Sequence, residues 1–479
     1  MVDEVVVQGE SASGSVSRRT LMKGAAWTVP ALMVATAAPA YAVSCPRGVF
    51  NAHGHGKLLG GSVLGLNLDG VVELNGKHAT APSPNDPDTY FNSLDLSVLD
   101  TLGLPLTPAG DFLSQILTIA TPALVGTVNE YAYAESDGDS RGASGAVTDN
   151  GVVALNQGDD MPEFGTLDLR TIIANLAGAQ AAALVAAVSN LQLQIGAIAG
   201  RAWVNPCTEP EVQRDYLLAH LRILITSPTV EALTTALTSA VQLVLATANI
   251  PLLVLNRRIQ LDVSLLTGEI PAGANQPIKV NLGEGTVAVD VSTLLSNNVD
   301  PFGAAYSPFL NGLPANSVLF VDTPLPASTI TNFNAALLVS LENVLLDALY
   351  VEQRDGVLDP SWEYAGSLRD LLSDPALGGV LTTAWNLVKA VLTGAVVGPA
   401  LAAISTLLSN LFDVLQNVIR ITVNAQNPVF ENWNGILNAS STPTHTQYSV
   451  AALFVQAVDA ANVLDLYLAS GGVGPSTPI

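Results

Sequence analysis

Two hydrophobic periodicities that alternate in blocks, and a first third made of short apolar runs between turn residues, predict an α+β fold. Its expected form is a set of antiparallel sheets, strand-rich toward the N-terminus, with several amphipathic helices packed on them. From Phe50 to about Val153, Gly, Asn, Asp, Ser and Pro separate brief apolar stretches, the texture of strands joined by turns. Leu68-Asp69-Gly70-Val71 and Asp149-Asn150-Gly151-Val152 supply Asp-Gly and Asn-Gly, which reach the positive φ that tight turns demand. Leu191, Leu193 and Ile195 alternate with Gln192 and Gln194, a strand with one wet face, and Ile259, Leu261, Val263 and Leu265 repeat that period. The clearest hairpin sets Ile278, Val280 and Leu282 against Val287, Val289 and Val291 around Gly283-Glu284-Gly285. A last strand pair is expected at Tyr448 to Val455 and Val463 to Ala469.

The other period begins at Ser227-Pro228, where a cap residue and a proline at the first helical position introduce Val230, Leu233, Leu237, Val241 and Val244. A second stripe runs through Ile330, Phe333, Leu337, Leu341, Val344 and Ala348. The third, Leu401, Ile404, Leu408, Leu411, Leu415 and Val418, is the most regular. The uncharged window Ala390 to Phe412 has the length of a membrane span, but Pro399 and its Ser, Thr and Gly residues favour a buried helix pair. The mature chain is therefore expected to lack a transmembrane span. Residues 471 to 479 read as a flexible polar tail, without a sorting signal or terminal apolar helix.

The first 42 residues read as a twin-arginine export signal. Ser17-Arg18-Arg19-Thr20-Leu21-Met22-Lys23 precedes an apolar run from Gly24 to about Ala37, and small residues at Ala40 and Ala42 flank Tyr41. Pairing two arginines with Leu21 and Lys23 implies export of a folded chain, the Tat translocase and a signal peptidase as transient partners, and cleavage between Ala42 and Val43. An uncleaved membrane helix is the alternative, and Pro30 and Pro39 interrupt it. Residues 43 to 470 are then expected to form one large extracytoplasmic domain.

With 49% hydrophobic and 12% charged residues the chain is too apolar to be disordered. Its net charge of −23 reflects few bases, 18 Lys plus Arg, as much as 41 acids. No basic stripe exists to neutralise phosphates, so nucleic acid and an anionic membrane surface are not expected partners. Cys45 and Cys207 are the two cysteines, and an oxidising destination favours a disulfide between them; a lipidated Cys45 is the alternative, against which Ala42-Val43-Ser44 makes a poor lipobox.

Catalytic chemistry is not legible. His53-Gly54-His55 places two rings on one face of a strand, a spacing that can bind Zn or Cu if His78 or an aspartate completes it, with an exposed loop as the plainer account. Ser136-Asp137-Gly138-Asp139-Ser140 could offer oxygens to calcium, yet lacks the rest of an EF-hand loop and reads better as a strand-connecting turn. Gly142-Ala143-Ser144-Gly145 has the wrong spacing for a nucleophile elbow, and no phosphate-binding glycine loop, dinucleotide fingerprint or His-Glu-x-x-His motif occurs. A carboxylate pair for glycoside hydrolysis would be invisible in sequence. Asn438-Ala439-Ser440 matches a glycosylation acceptor that a bacterial signal renders uninformative. No cofactor, metal site or catalytic residue is assigned.

Several phrases, in their order, resemble the choice-of-anchor G family of actinobacterial exported proteins: Gly60-Gly61-Ser62-Val63-Leu64, Leu68 to Gly76, Leu94 to Leu99, Asn129-Glu130-Tyr131-Ala132, Ser144 to Asp149, and the Ser227-Pro228 helix start. The resemblance covers most of residues 50 to 300 and implies a secreted or surface protein whose shared body is coupled to alternative C-terminal anchors, with no catalytic residues to carry over. This chain departs from it in showing no recognisable anchor. The expected function is an exported or cell-surface structural or adhesive protein, non-catalytic, binding through its turn-rich N-terminal third. A secreted hydrolase acting on envelope polysaccharide, or an extracytoplasmic solute-binding protein, is the alternative.

Overall fold

The computed structural model describes residues 50–68, 76–94, 108–119, 128–153, 163–176, 179–207, 209–272, 277–296, 307–326, 328–357, 359–394, 397–426, 448–458, 463–474 and 476–479. All belong to one unit, Pro46–Ile479. The described strands form four antiparallel sheets, and the helices pack beside them, so the α+β expectation holds. The signal residues Ser17, Arg18, Arg19, Leu21 and Lys23, the cleavage site Ala42-Val43, Cys45, the turn after Leu68 and Asn438-Ala439-Ser440 lie outside the described residues.

Sheet I is centred on β1 (Phe50–Val63), which pairs on one side with β22 (Leu464–Val473) and on the other with β2 (Leu66–Asn67) and β3 (Lys77–Ala81), while β23 (Thr477–Pro478) pairs with its first two residues. Beyond β22 follow β21 (Tyr448–Ala457), β20 (Ile419–Gln426) and β17 (Ser317–Val318). Sheet II runs β11 (Glu209–Leu218), β10 (Ile198–Asn205), β7 (Ser140–Gly145), β6 (Asn129–Ala134) and β4 (Asp88–Ser93). These two sheets stack face to face far more closely than the ~10 Å of an ordinary sandwich. The cause is composition. The facing positions are Gly, Ala and Ser, and a Cβ placed on Gly142 would stand 1.9 Å from the His55 carbonyl oxygen, one on Gly56 2.0 Å from that of Ala143. Ser144, wholly buried, uses the short gap: its hydroxyl lies 2.7 Å from the Lys57 carbonyl and 2.8 Å from that of Ser470.

Sheet III runs β14 (Glu269–Ala272), β15 (Ile278–Asn281), β16 (Thr286–Asp290), β12 (Leu221–Thr226), β9 (Asn190–Gly196), β8 (Glu163–Asp168) and β5 (Leu117–Ile119). The expected hairpin is present in register, Ile278 opposite Val289 and Val280 opposite Val287, and β9 buries Leu191, Leu193 and Ile195 while its glutamines stay half-exposed. Sheet IV is small: β13 (Arg257–Leu261), β18 (Leu349–Gln353) and β19 (Glu363–Ser367).

Four long helices complete the core. Helix α1 (Pro228–Val254) starts at the expected cap, the Ser227 hydroxyl accepting from Thr229 N, and its buried stripe Val230, Leu233, Leu237, Val241, Leu245, Ala248 and Leu252 outlasts the one read from sequence. Helix α2 (Ser328–Ala348) buries Phe333, Leu337, Leu341 and Leu345. Helices α3 (Gly378–Thr393) and α4 (Gly398–Asn417) are the pair expected of the uncharged window, and α4 sinks Leu401, Ile404, Leu408 and Leu411 into the shared core. Both α1 and α4 have the length and apolarity to cross a membrane.

Two expectations need correction. The strand read from Ile259 to Leu265 stops at Leu261, because the Asp262 carboxylate accepts from Ser264 N and turns the chain into a 3-10 helix, Val263–Leu266. The C-terminal residues are not a loose tail. Gly471 to Val473 belong to β22, Ser476 donates to the Gly138 carbonyl, and Thr477–Pro478 pairs with Phe50 and Asn51.

Candidate contact face on the three-stranded sheet

The residues singled out in sequence are placed first. His53, His55 and His78 do share one face: His55 lies opposite His78 in the β1–β3 ladder, their ring centroids 5.9 Å apart. His55 is buried, and that burial, with His78, Lys57 and His53 around it, holds its pKa well below the ordinary histidine value. A metal site normally places at least three donors about one point, and among the described residues no three His, Cys, Asp or Glu groups converge that way. Glu130 reaches from β6 across to β1 and accepts from Leu58 N at 3.0 Å; burial raises its pKa.

The Ser136 to Ser140 segment is the tight turn between β6 and β7, with Gly138 at φ +96°. Its carboxylates are engaged locally. Asp137 accepts from Asp139 N at 2.9 Å, Asp139 pairs with Arg141 at 2.6 Å, and Asp86 accepts from Ser136. Asp149-Asn150-Gly151 makes the expected turn, Gly151 at φ +74° beneath the antiparallel Val147–Val153 bridge. Ser144 is buried between sheets I and II, where no substrate could reach its hydroxyl. Cys207 sits in the turn leaving β10, its backbone N–H donating to Asn205 Oδ1.

Among the described residues of the N-terminal third, the exposed aromatics are Tyr90 and Phe91. They are consecutive on edge strand β4 and so point to opposite faces, which prevents them from forming one platform. Aromatic and arginine side chains are concentrated instead on sheet IV, of which sequence reading saw only β13, through Ile259 and Leu261.

Its inner face, Ile259, Leu349 and Val351, is buried on the core. The outer face follows from the register. Arg258 stands opposite Glu352, Gln260 opposite Tyr350, and Glu352 opposite Tyr364 across a bulge at Val351. Arg258 pairs with Glu352 at 2.5 Å. Its guanidinium carbon also lies 4.3 Å from the Trp362 ring centroid, with that of Arg354 at 4.8 Å. Tyr350 and Tyr364 lie side by side, centroids 5.8 Å apart, and Tyr364 is 66% exposed.

This face is held rigidly. On the free side of β13 the Asn249 side chain of α1 imitates a neighbouring strand, accepting from Ile259 N at 2.6 Å and donating to Ile259 O at 3.0 Å. Arg354 N donates to Asn256 O at 3.2 Å, which ties the β18–β19 connection to the end of α1. Two hydrogen bonds from Ser361 fix Asp359 in that connection and hold its pKa below the ordinary carboxylate value. Planar cations, a carboxylate, amide and phenol groups on a fixed scaffold can both stack on and hydrogen-bond to a partner.

Known proteins give limited comparison. A family described as a domain of unknown function, DUF8394, matches residues 54–252. The matched stretch contains sheet II and most of α1 and ends before β13, so the contact face lies outside it. No curated protein and no solved structure matches the chain.

Proposed function

We propose that this is an exported or cell-surface protein with a structural or adhesive, non-catalytic role, and that the outer face of sheet IV is its contact surface. The observation that carries the reading is Trp362 flanked by the guanidinium groups of Arg258 and Arg354 beside the open Tyr350–Tyr364 pair. Trp, Tyr and Arg are the residue types that dominate binding energy at protein contacts, and here they are pre-positioned on a sheet. The buried carboxylates speak against a hydrolase. Glu130 and Asp88 accept backbone N–H groups, Asp139 holds Arg141, and each therefore serves the fold.

Export through the Tat translocase is part of the proposal, as is the resemblance to the choice-of-anchor G family. So is the Cys45–Cys207 disulfide. Its support comes from the described residues nearby: Phe50, five residues after Cys45, donates its N–H to Ser136 O, while the Cys207 sulfur faces the Asp137 carbonyl one residue on. The chain thus enters β1 next to the turn that carries Cys207.

Fractionating a producing culture into medium, wall, membrane and cytoplasm tests the reading. Processed protein outside the cytoplasm, with precursor retained inside when Arg18→Lys and Arg19→Lys are combined, is the expected result. Wild-type protein found in the cytoplasm overturns it.

A further inference from the structure

Next to the contact face the molecule exposes an apolar knuckle. At the end of α1, Ile250, Leu253, Val254 and Leu255 are 65%, 44%, 82% and 48% exposed, and Val357, from the connection tied to Asn256, is 70% exposed. Exposed apolar residues are ordinary when scattered, but the four on α1 are neighbours at one helix end, and large clusters mark interaction sites. Its shape matters. Consecutive helical residues point ~100° apart, so exposure of Leu253, Val254 and Leu255 in a row means that the helix end protrudes and is bare around about half its circumference. A flat or grooved protein partner covers one side of such a protrusion; a fluid apolar medium covers all of it.

The chemistry of the rim agrees. Directly behind the knuckle come Arg257 and Arg258, then Arg354, Trp362, Tyr350 and Tyr364. Arginine stems over apolar surface with their heads at phosphate level, and Trp and Tyr just behind an apolar tip, are the arrangement favoured at a membrane interface. Acids are also present. Glu352 is taken by Arg258, Asp355 and Glu363 are exposed, and Asp359 lies in the same connection. With Arg257, Arg258 and Arg354 against Glu352, Asp355, Asp359 and Glu363, the rim is slightly acidic, in a chain whose net charge is −23. From Ala232 to Asn256 there is no charged residue at all.

We infer that the end of α1 and Val357 insert into the surface of a phospholipid bilayer, with Arg257, Arg354, Trp362 and the two tyrosines at headgroup level. This rests on the reading of sheet IV as a contact surface and names its partner. Because the rim is slightly acidic, apolar insertion drives the binding, and anionic lipid does not strengthen it.

The test is sedimentation of the purified mature protein with phosphatidylcholine vesicles and with vesicles of equal parts phosphatidylcholine and phosphatidylglycerol. Binding to both is expected. Val254→Asp should weaken it about tenfold or more at an unchanged melting temperature, since the side chain is outside the core, and Leu243→Asp, also exposed but higher on α1, should leave it unchanged. Three results overturn the inference: no binding of the wild type to either vesicle, equal binding of Val254→Asp, or a wild-type dimer in vesicle-free sedimentation that Val254→Asp abolishes. Binding to isolated cell envelopes reports separately on sheet IV. If it persists and depends on Tyr364 while vesicle binding is absent, the contact surface stands and only its lipid partner falls.

Discussion

Replacing Gly142 by Ala adds one methyl group at the narrowest point between sheets I and II. The added Cβ would lie 1.9 Å from the His55 carbonyl oxygen and 2.3 Å from that of Gly472, where ordinary contact begins near 3.4 Å. The opposing atoms are backbone in a paired ladder, so no side chain can swing aside. The sheets must separate locally by about 1.5 Å, the difference between those distances. That shift stretches the Ser144 contacts of 2.7 and 2.8 Å beyond hydrogen-bond range. Overpacking of this kind costs ~1–3 kcal/mol and a lost buried hydrogen bond ~1 kcal/mol more, about 3 kcal/mol together. At ~2.1 cal/mol/K per residue over about 430 residues, that lowers the melting temperature by ~3 °C. Gly268→Ala is the control, since nothing lies within 4 Å of its added Cβ and its φ is not positive. Differential scanning calorimetry compares the two. If Gly142→Ala melts with the wild type, the close stacking of the two sheets is wrong.

Other outcomes are equally specific. Leu411→Ala, at a fully buried position of α4, should cost ~2–5 kcal/mol in urea unfolding. Cys45 and Cys207 should resist alkylation until reduced, and Cys207→Ser should remove ~4 kcal/mol; alkylation of the unreduced secreted protein contradicts the bridge. His220 is held below its ordinary value of 6.5 chiefly by burial, then by Arg222. Its contribution is therefore complete above about pH 6.5 and lost as pH falls below that value, so the urea midpoint should drop on acidification and His220→Gln should flatten the slope there. Glu130, raised by burial, acts with the opposite sign: its contribution is present at low pH and lost as pH rises through the carboxylate range, so Glu130→Gln should be better tolerated at pH about 7 than at pH about 4.

Elements with a long, strong period were legible in the sequence. The α4 stripe, the β15–β16 hairpin and the alternation of β9 each repeat one rule over enough residues to be unmistakable. Sheet I was only half visible. Its stacking on sheet II depends on Gly54, Gly56, Gly142 and Gly471, and glycine in sequence reads as a turn, whereas here it marks close approach of two backbones. The ending was misread for the same reason, Gly471-Gly472 looking like a linker while serving as strand. Beyond β13, sheet IV escaped because each strand has five residues and Arg258, Tyr350 and Trp362 come from segments far apart in the chain. Arg257-Arg258 in a base-poor chain, and Trp362 alternating with Tyr364, were the available signals. Neither identifies the other without the fold.

The central claim is that sheet IV presents the contact surface of an exported protein, and binding to isolated envelopes of the producing cells tests it most directly. Purified mature wild-type protein should sediment with the envelopes, and the Trp362→Ala/Tyr364→Ala pair should lose most of that binding, by about tenfold or more, at an unchanged melting temperature. Equal binding by the folded double variant would contradict the account.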